Sequence, residues 1–224
     1  MPVNIVKSDV MGLKKHVKPE SVQVILCSPP RWTPNSHRFK GYADWREGER
    51  TPLGGEAFGG HYVQHTQEIL AALAVYLKPD GMILWHLGDH EGVAMSDHIS
   101  IGAFMIGFTV HKRAVWVRNG DYNPILRLSL SDKPFVAETD SLVYDWPESE
   151  FKHADFGCLP VQLAEWAIKT YSRPGDLILD PMAGSGTTGV AAGILQRDCI
   201  LADLGYQEVQ RHRCKEFMAE SKRV

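Results

Sequence analysis

The feature that most constrains this chain is a glycine-rich loop close to its end. The run DPMAGSGTTG, residues 180–189, follows a short apolar segment and precedes a helix-forming one. Gly184, Gly186 and Gly189 form the pattern G-x-G-x-x-G, which lets a backbone approach a nucleotide-like ligand closely. Asp203 ends the next predicted strand, where a carboxylate can accept hydrogen bonds from ribose hydroxyls. The pattern indicates adenosine or dinucleotide binding.

The position of this loop restricts which fold can contain it. Only 21 residues follow Asp203, which is enough for one helix, so a dinucleotide-binding fold cannot place its remaining strands downstream. A phosphate-binding P-loop is disfavoured because Gly186 is followed by Thr187 rather than lysine. The remaining strands must therefore come from upstream, and we expect a circularly permuted domain. The alternative, that the glycines only ease helix packing, is disfavoured because acids flank the loop at predicted strand ends.

Short β-rich runs alternate with segments of helical periodicity, which predicts an α/β fold with a mostly parallel, Rossmann-like sheet and helices on both faces. We predict seven strands, at residues 3–6, 22–27, 82–87, 109–117, 135–144, 177–179 and 199–202. We predict helices at residues 62–77, 96–105, 159–171, 187–195 and 207–218. No helix-length segment separates 109–117 from 135–144, so these two are predicted to pair antiparallel. The length of 224 residues predicts a single domain, 1–224.

Composition excludes several classes of protein. The four cysteines show no CxxC spacing, so neither a zinc cluster nor a disulfide framework is indicated, and a cytoplasmic location fits best. No signal peptide or apolar run of about 18 residues is present, so we expect no contact with a membrane. His86 and His90 are four residues apart but flank a predicted strand end and a glycine. We therefore predict no metal site.

The net charge of −3 provides no global attraction to nucleic acid, so any such binding requires local patches. Residues 31–50 and 112–127 each mix several basic with fewer acidic side chains. Either run can equally be an ordinary solvated surface. The segment 31–61 is polar, glycine-rich and aromatic, and it is too long for a simple connection. We predict that it is a substrate or recognition loop.

A second motif, Cys27-Ser28-Pro29-Pro30-Arg31-Trp32, directly follows the predicted strand 22–27. Two prolines stiffen a turn and remove backbone donors. Ser28 and the carbonyl of Pro29 can therefore present acceptors at a fixed position, which suits an amino group. The simpler alternative is that the two prolines only end the strand. A serine hydrolase is disfavoured because Pro29 lacks the N–H that an oxyanion hole would use.

Taken together, the two motifs resemble the β-class amino-methyltransferases of DNA, in which a [SD]PP motif followed by an aromatic residue precedes a D-P-x-x-G-S-G-T-T motif. The resemblance covers nearly the whole chain. Its pieces are Ser8-Asp9-Val10, Ser28-Pro29-Pro30, Leu77 to Gly81, Gly88-Asp89, the strand with Trp116, Leu159-Pro160, Asp180 to Thr188 and Asp203. It implies a seven-stranded methyltransferase sheet with one antiparallel strand, the cofactor S-adenosyl-L-methionine, and DNA as substrate.

The resemblance also implies roles for individual residues. Gly184, Gly186 and Thr187 would line the methionine end of the cofactor near Asp180. Asp203 would bind the ribose. The remaining cofactor-binding residues are Asp9, near the adenine amino group, and Leu159 with Pro160, which would close the pocket. The catalytic residues would be Ser28, Pro29 and Pro30.

The chemical difficulty is that an exocyclic amine of a base is a poor nucleophile, because its lone pair is delocalised into the ring. Ser28 and the Pro29 carbonyl would accept both N–H bonds and localise that lone pair. The target base must be flipped into the site and stacked there. The family's aromatic position is Arg31 in this chain, with Trp32 next to it, and we assign both, with Arg38, to substrate contact. Cys27 is interpreted as a buried strand residue.

Ser rather than Asp before the two prolines resembles cytosine-N4 enzymes, so that target is favoured over adenine-N6. Arg31 leaves open a catalytically impaired nucleic-acid-binding protein. Single-stranded DNA or RNA also stays open as substrate, and the small recognition segment suggests a homodimer, since protein–DNA interfaces bury on the order of 1,000 Å² or more.

Overall fold

The computed structural model describes residues 3–33, 53–56, 58–87, 93–118, 121–137, 143–147, 149, 151 and 158–220. Within these ranges the strands are β1 (Val3–Lys7), β2 (Val22–Cys27), β3 (Leu77–His86), β4 (Thr109–Val110), β5 (Ala114–Arg118), β6 (Asp121–Ser129), β7 (Val143–Tyr144), β8 (Leu177–Asp180) and β9 (Asp198–Asp203). The α-helices are α1 (Gly59–Ala74), α2 (Met95–Met105), α3 (Val161–Tyr171), α4 (Thr187–Ile194) and α5 (Gln207–Glu220), with a 3-10 helix at Met11–Lys15.

All strands belong to one sheet with the order β1-β9-β8-β2-β3-β6-β5-β7, and β4 pairs with β6. Strands β1, β9, β8, β2 and β3 are parallel neighbours, whereas β6 runs antiparallel to β3, β4 and β5. The strand before the glycine loop, β8, lies between β9 and β2. Strands from the N-terminal part of the chain therefore belong to the same sheet as β8 and β9, as expected.

Helices cover both faces of the sheet, and each face has its own apolar core. Helices α1 and α2 pack on one face, which carries Ile25, Ile83 and Trp85. Helices α3, α4 and α5 pack on the other, which carries Leu26 and Leu84. Because strand side chains alternate between faces, strands buried on both sides read as nearly continuous apolar runs. The predicted fold, a mostly parallel α/β sheet with an antiparallel strand, is confirmed.

The predicted antiparallel pairing of 109–117 with 135–144 was wrong. β5 and β7 pair parallel, with Val115 opposite Val143. The antiparallel strand is β6, Asp121–Ser129, in a segment for which the sequence predicts no strand. Asp121, Asn123 and Pro124 are typical of turns, and they conceal the apolar residues that follow them. Pro124 is tolerated because its carbonyl still accepts from Leu87, at a distance of 2.9 Å.

Other expectations agree closely with the structure. Five of the seven predicted strands overlap β1, β2, β3, β8 and β9. The predicted strand 109–117 is divided into β4 and β5, and in the described part of 135–144 only β7 is a strand, whereas β6 was not predicted. The five predicted helices are present, with ends displaced by up to three residues. All four cysteines are free, and Cys27, Cys199 and Cys214 are buried. In the described part of the chain, no helix has the length and apolar character needed to cross a membrane.

Candidate active site

The glycine loop occupies the carboxyl end of β8, at the centre of the sheet. Gly184 and Gly186 have φ values of +47° and +84°, a left-handed conformation that side chains with a Cβ rarely adopt. Gly186 is the N-terminal cap of α4. A Cβ on Gly186 would lie 3.2 Å from Cγ of Gln210. The two glycines therefore allow a tight turn that leads directly into the helix.

Asp180, the last residue of β8, is 6% exposed. Its carboxylate accepts hydrogen bonds from Thr188 Oγ1 at 2.5 Å and from the Met182 amide at 3.2 Å. Burial raises the pKa of Asp180 to about 7, although these two hydrogen bonds lower it. A buried acid with a pKa near neutrality, at the carboxyl end of a strand, is a candidate functional residue.

Asp203 and Asp9 lie along the same edge of the sheet. Asp203 ends β9 and accepts from the amides of Gly184, at 2.8 Å, and Gly205, at 3.0 Å. Burial raises its pKa, and the backbone hydrogen bonds lower it. Asp9 follows β1 and accepts from the amide of Gly12, in the 3-10 helix, at 2.7 Å. Both acids therefore also have structural roles at the positions predicted to bind cofactor.

The start of α3 contacts the glycine loop from the side. Thr187 Oγ1 donates to the Leu159 carbonyl at 3.4 Å, and Pro160 is the N-terminal cap of α3. Arg213 of α5, which is 4% exposed, donates from one Nη1 to Ser185 O at 3.2 Å, Ser185 Oγ at 2.8 Å and Thr187 Oγ1 at 3.0 Å. The loop is thus fixed by helices on both sides.

The turn with the two prolines lies on the neighbouring strand. β2 ends at Cys27 and is paired with β8 on one side and β3 on the other. Pro29 is buried, and Ser28 and Pro30 are half-buried. The hydroxyl of Tyr62, a fully buried residue of α1, donates to the Pro30 carbonyl at 2.9 Å. The proline turn and the glycine loop therefore meet at one edge of the sheet.

Ser28 has a partner that the sequence did not reveal. Its Oγ lies 3.0 Å from Nδ1 of His86, at the end of β3. His86 is 4% exposed, and its ring centroid is 5.8 Å from that of Trp116. A serine next to a histidine is also found in hydrolases, but Pro29 supplies no N–H to an oxyanion hole. The contact therefore does not favour a hydrolase.

Arg31 and Trp32, both predicted to contact substrate, are held differently. Arg31 is exposed, and its Nη2 donates to Asn123 Oδ1 of β6 at 3.0 Å. The Trp32 indole donates to the Glu56 carbonyl at 2.8 Å and packs against the core on the α1 side. Arg38 and residues 34–52 of the proposed recognition loop lie outside the described residues.

The end of that loop is fixed by a buried hydrogen bond between Glu56 and His65. Glu56, which is 2% exposed, accepts from Nδ1 of His65 at 2.8 Å and from the Gly54 amide at 2.8 Å. His65 belongs to α1. The loop therefore rejoins the fold at a well-defined point next to Trp32.

The basic run 112–127 does not form one surface patch. Arg127 is 9% exposed, donates to the Lys112 carbonyl and, at 2.7 Å, donates to the Tyr171 hydroxyl. Arg113 forms an ion pair with Asp97 of α2. These two guanidinium groups stabilise the packing of β5 and β6 against helices.

Cys27 has the properties of a structural residue. It is fully buried in β2, and burial raises the pKa of its thiol well above the ordinary range, so it is not a nucleophile.

Among the described residues, no three metal-ligating side chains come together; His90 lies outside them. A cleft of about 520 Å³ lined in part by Pro19, Pro79 and Leu130 lies at the opposite edge of the sheet, away from both motifs.

Sequence comparison identifies similar proteins. Residues 139–212, from before β7 into α5, match a DNA methylase family model of the N6/N4 type. Type II methyltransferase M.MwoI from Methanothermobacter wolfeii is 25% identical over 207 residues, which cover 83% of this chain and 29% of that protein. M.BamHI from Bacillus amyloliquefaciens is 36% identical over 80 residues. These residues cover 36% of this chain and 19% of M.BamHI. This chain thus spans less than a third of these relatives.

Solved structures share the fold over nearly the full chain. The cytosine-N4-specific PvuII DNA methyltransferase superposes with a TM-score of 0.75 at 18% identity and covers 98% of this chain and 91% of its own. A protein from Thermus thermophilus assigned as a DNA modification methylase was solved with S-adenosyl-L-methionine. It superposes with a TM-score of 0.71 at 19% identity, and the match covers 97% of this chain and 95% of that protein. The resemblance inferred from the motifs is confirmed.

Proposed function

Because its fold and its motif order are those of the N4/N6 amino-methyltransferases, we propose that this chain transfers the methyl group of S-adenosyl-L-methionine to the exocyclic amino group of a DNA base. The observation that carries the proposal is the pairing of β2 with β8. This pairing brings the acceptor groups at Ser28 and Pro29 next to the loop after Asp180. Ligands of open α/β sheets bind at this edge.

The residues of the glycine loop fit the cofactor. Its left-handed glycines, Gly184 and Gly186, allow a tight turn that residues with a Cβ rarely adopt, and the buried carboxylate of Asp180 suits the positive charge of a sulfonium or ammonium group. Gly184, Gly186 and Thr187 would hold the methionine end, and Asp203 and Asp9 the adenosine end, with Leu159 and Pro160 closing the pocket. The bound cofactor supplies an activated methyl group with a good leaving group.

The protein's own contribution is to orient the amine. Ser28 and the Pro29 carbonyl accept its two N–H bonds, which localises the lone pair and aims it at the donor. The hydrogen bond from Tyr62 to the next carbonyl, that of Pro30, stiffens the turn. A fixed pair of acceptors costs no reorganisation during the reaction.

Cytosine-N4 is the favoured target, with adenine-N6 as the alternative. Ser28 before the two prolines supports this preference, whereas the fold shared with a cytosine-N4 enzyme does not distinguish the two bases. Arg31, tied to Asn123, offers a planar guanidinium on which a flipped base can stack. For comparison, stacking of a base on an aromatic ring contributes about 1–3 kcal/mol.

A second candidate is a cofactor-binding protein with impaired transfer. Arg31 is the observation that supports this alternative. It replaces the expected aromatic residue, and its guanidinium group already donates a hydrogen bond to Asn123. Trp32 would have to break its hydrogen bond with Glu56 to replace it. In this case, the cofactor and DNA would bind without release of methylated product.

The test is to incubate the full chain with labelled S-adenosyl-L-methionine and mixed-sequence DNA, then to hydrolyse the DNA and separate the nucleosides. We expect N4-methylcytosine from the wild type and none from Ser28→Ala or Asp180→Ala. Ser21→Ala, at the opposite end of β2, is a matched control and should retain activity. Detection of N6-methyladenine instead would show that the target is the adenine-N6 amino group. Cofactor binding without any methylated nucleoside would favour the impaired protein.

The substrate form and the assembly belong to the same proposal. Single-stranded DNA and RNA should be assayed beside duplex DNA, because the aromatic and cationic groups at the site can stack on any unpaired base. A homodimer would enlarge the DNA-binding surface, and sedimentation showing a monomer both with and without DNA would refute it. We expect a cytoplasmic enzyme of DNA modification.

A further inference from the structure

The most informative contact not used by the proposed function is that between Ser28 and His86. Cys27 pairs with Trp85 in the parallel ladder of β2 and β3, so the next residues outward, Ser28 and His86, lie side by side. Their Oγ and Nδ1 atoms are 3.0 Å apart. Nothing in the cofactor site or in the orientation of the amine requires a histidine there.

The burial of His86 makes its position well defined. Met82 and Leu84 of β3 belong to the core under α3 and α4, and by alternation His86 is on the same face. The ring is 4% exposed and packs near the Trp116 ring at a centroid distance of 5.8 Å. The site therefore holds a titratable group next to its main acceptor.

We propose that His86 accepts the hydroxyl hydrogen of Ser28 and, during the reaction, takes up the proton that the methylated amine must lose. The inference rests on the proposed methyl transfer. A hydroxyl has one donor and two lone pairs. When its hydrogen is committed to Nδ1, the lone pairs of Ser28 are left to accept from the amine. The neutral imidazole must then carry its own hydrogen on Nε2.

The proton and electron balance is complete without another reactant. The nitrogen lone pair forms the N–C bond, and the S–C bond breaks with its electrons on sulfur, which becomes a neutral thioether. The positively charged amine then transfers one N–H proton to Ser28 Oγ, while the original hydroxyl proton moves to Nδ1 of His86. The imidazolium returns that proton to solvent after product release, so the net products are the methylated base, the thioether and one proton.

Other charged and titratable groups lie on the elements that surround His86. β2 contributes Cys27 on the opposite face, and β6 contributes Arg127 on the same face. Helix α3 contributes Glu165 and Tyr171. The turn after β2 adds Arg31, bonded to Asn123, and β8 adds the buried Asp180.

The decisive variant is His86→Asn. The amide oxygen of asparagine can still accept the Ser28 hydrogen, but it cannot retain a proton, so the substitution separates positioning from proton transfer. At saturating cofactor and DNA, we expect kcat to fall on the order of 100-fold, within the range of general acid–base catalysis. The affinity for S-adenosyl-L-methionine, measured calorimetrically, should not change. His16→Asn, an exposed histidine, is the matched control.

The pH profile provides the second measurement. Wild-type kcat should fall as pH decreases through the region where histidines titrate, between about pH 5 and 8, because an imidazolium cannot accept a proton. His86→Asn should lack this fall. Saturating cofactor excludes a contribution from Asp180 through cofactor binding. Wild-type activity and an unchanged profile in His86→Asn would overturn the inference while leaving the methyltransferase intact.

A third measurement needs neither DNA nor turnover. Nitrogen NMR of the full chain with labelled histidine should show the neutral His86 ring protonated at Nε2, with an Nδ1 signal that changes in Ser28→Ala. Protonation at Nδ1 instead would overturn the inference even if no variant folded. Absence of methylated nucleosides from the wild type would refute the proposed function, and the proton transfer with it.

Discussion

At the scale of single residues, the edge of the sheet concentrates buried polar groups that an ordinary core would avoid. Asp180 is 6% exposed and His86 4% exposed. Burial penalises the charged forms of such groups, so they persist only where hydrogen bonds or a function compensate. Thr188 and the Met182 amide compensate at Asp180, and Ser28 contacts His86.

Asp180 makes the stability of the protein without cofactor depend on pH. Its pKa, raised to about 7 by burial, means that the native state holds the proton more tightly than the unfolded state. The free energy of unfolding should therefore decrease as pH rises from about 4 to about 7. Asp180→Asn should remove part of this slope and, at pH 8, be more stable than the wild type by a few kcal/mol, since one pKa unit corresponds to about 1.4 kcal/mol.

Denaturant unfolding at pH 5 and pH 8 measures this effect. Asp121→Asn on β6 is an exposed control and should keep the wild-type slope. A residual slope from Asp203, whose pKa is also raised by burial, is expected in both proteins. An unchanged slope in Asp180→Asn would show that Asp180 is ionised in the native state throughout this range.

Tyr62 should affect turnover although it lies behind the proline turn. Tyr62→Phe removes the donor to the Pro30 carbonyl and leaves the ring in place. A hydrogen bond of this kind contributes about 0.5–1.5 kcal/mol, so we expect a comparable loss of stability. A looser turn positions Ser28 and Pro29 less well, and kcat should fall about tenfold. Tyr76→Phe, at the other end of β3, should retain wild-type kcat in the nucleoside assay; equal kcat for both variants would contradict the positioning role.

At the scale of elements, α4 shows how closely the glycine loop must approach the sheet. A Cβ at Gly189 would lie 2.7 Å from Leu201 Cδ1 and 3.1 Å from Val3 Cγ1. Those atoms belong to β9 and β1, which pair side by side. The third glycine of the motif therefore permits contact between helix and sheet, whereas Gly186 permits the left-handed turn.

Two glycines of α4 offer a matched comparison. Gly189→Ala should destabilise the protein by about 1–3 kcal/mol, because overpacking outweighs the gain in helix propensity. Gly193→Ala, in the same helix with no atom within 4 Å of its added Cβ, should be stabilising by up to about 1 kcal/mol. Thermal unfolding of both variants checks the prediction. Destabilisation by Gly193→Ala, or none by Gly189→Ala, would contradict this packing.

At the scale of the whole molecule, segments far apart in sequence form one site. β1 pairs with β9 and β2 pairs with β8, so the glycine loop, Asp9 and the proline turn share an edge. Ligand binding at this edge should therefore stabilise the entire sheet rather than one half of it.

Cofactor binding should be visible in global unfolding. With S-adenosyl-L-methionine at about 100 times its Kd, the free energy of unfolding should rise by about 2.7 kcal/mol. Gly186→Ala, which forces a Cβ into a left-handed position, should lose most of this gain, whereas Gly175→Ala, left-handed but distant from the loop, should keep it. Thermal shift with and without cofactor separates the two. Equal shifts would place the cofactor elsewhere.

The sequence alone determined the local parts of this protein. The glycine loop, the proline turn and most helices were predictable because glycine, proline and apolar periodicity act through the local backbone. The circular permutation itself stays an interpretation, and the roles of the site residues stay predictions.

Only the tertiary structure decided which residues meet. His86 is a lone histidine at a strand end, and only the register of β2 against β3 places it beside Ser28. Asn123 belongs to a strand that the sequence concealed, and strand pairing brings it to Arg31. Such contacts depend on partners distant in the chain, which no local pattern encodes. The two prolines allow the acceptor groups of the turn to be predicted from the sequence. The position of the histidine next to them depends on how the strands pair in the sheet.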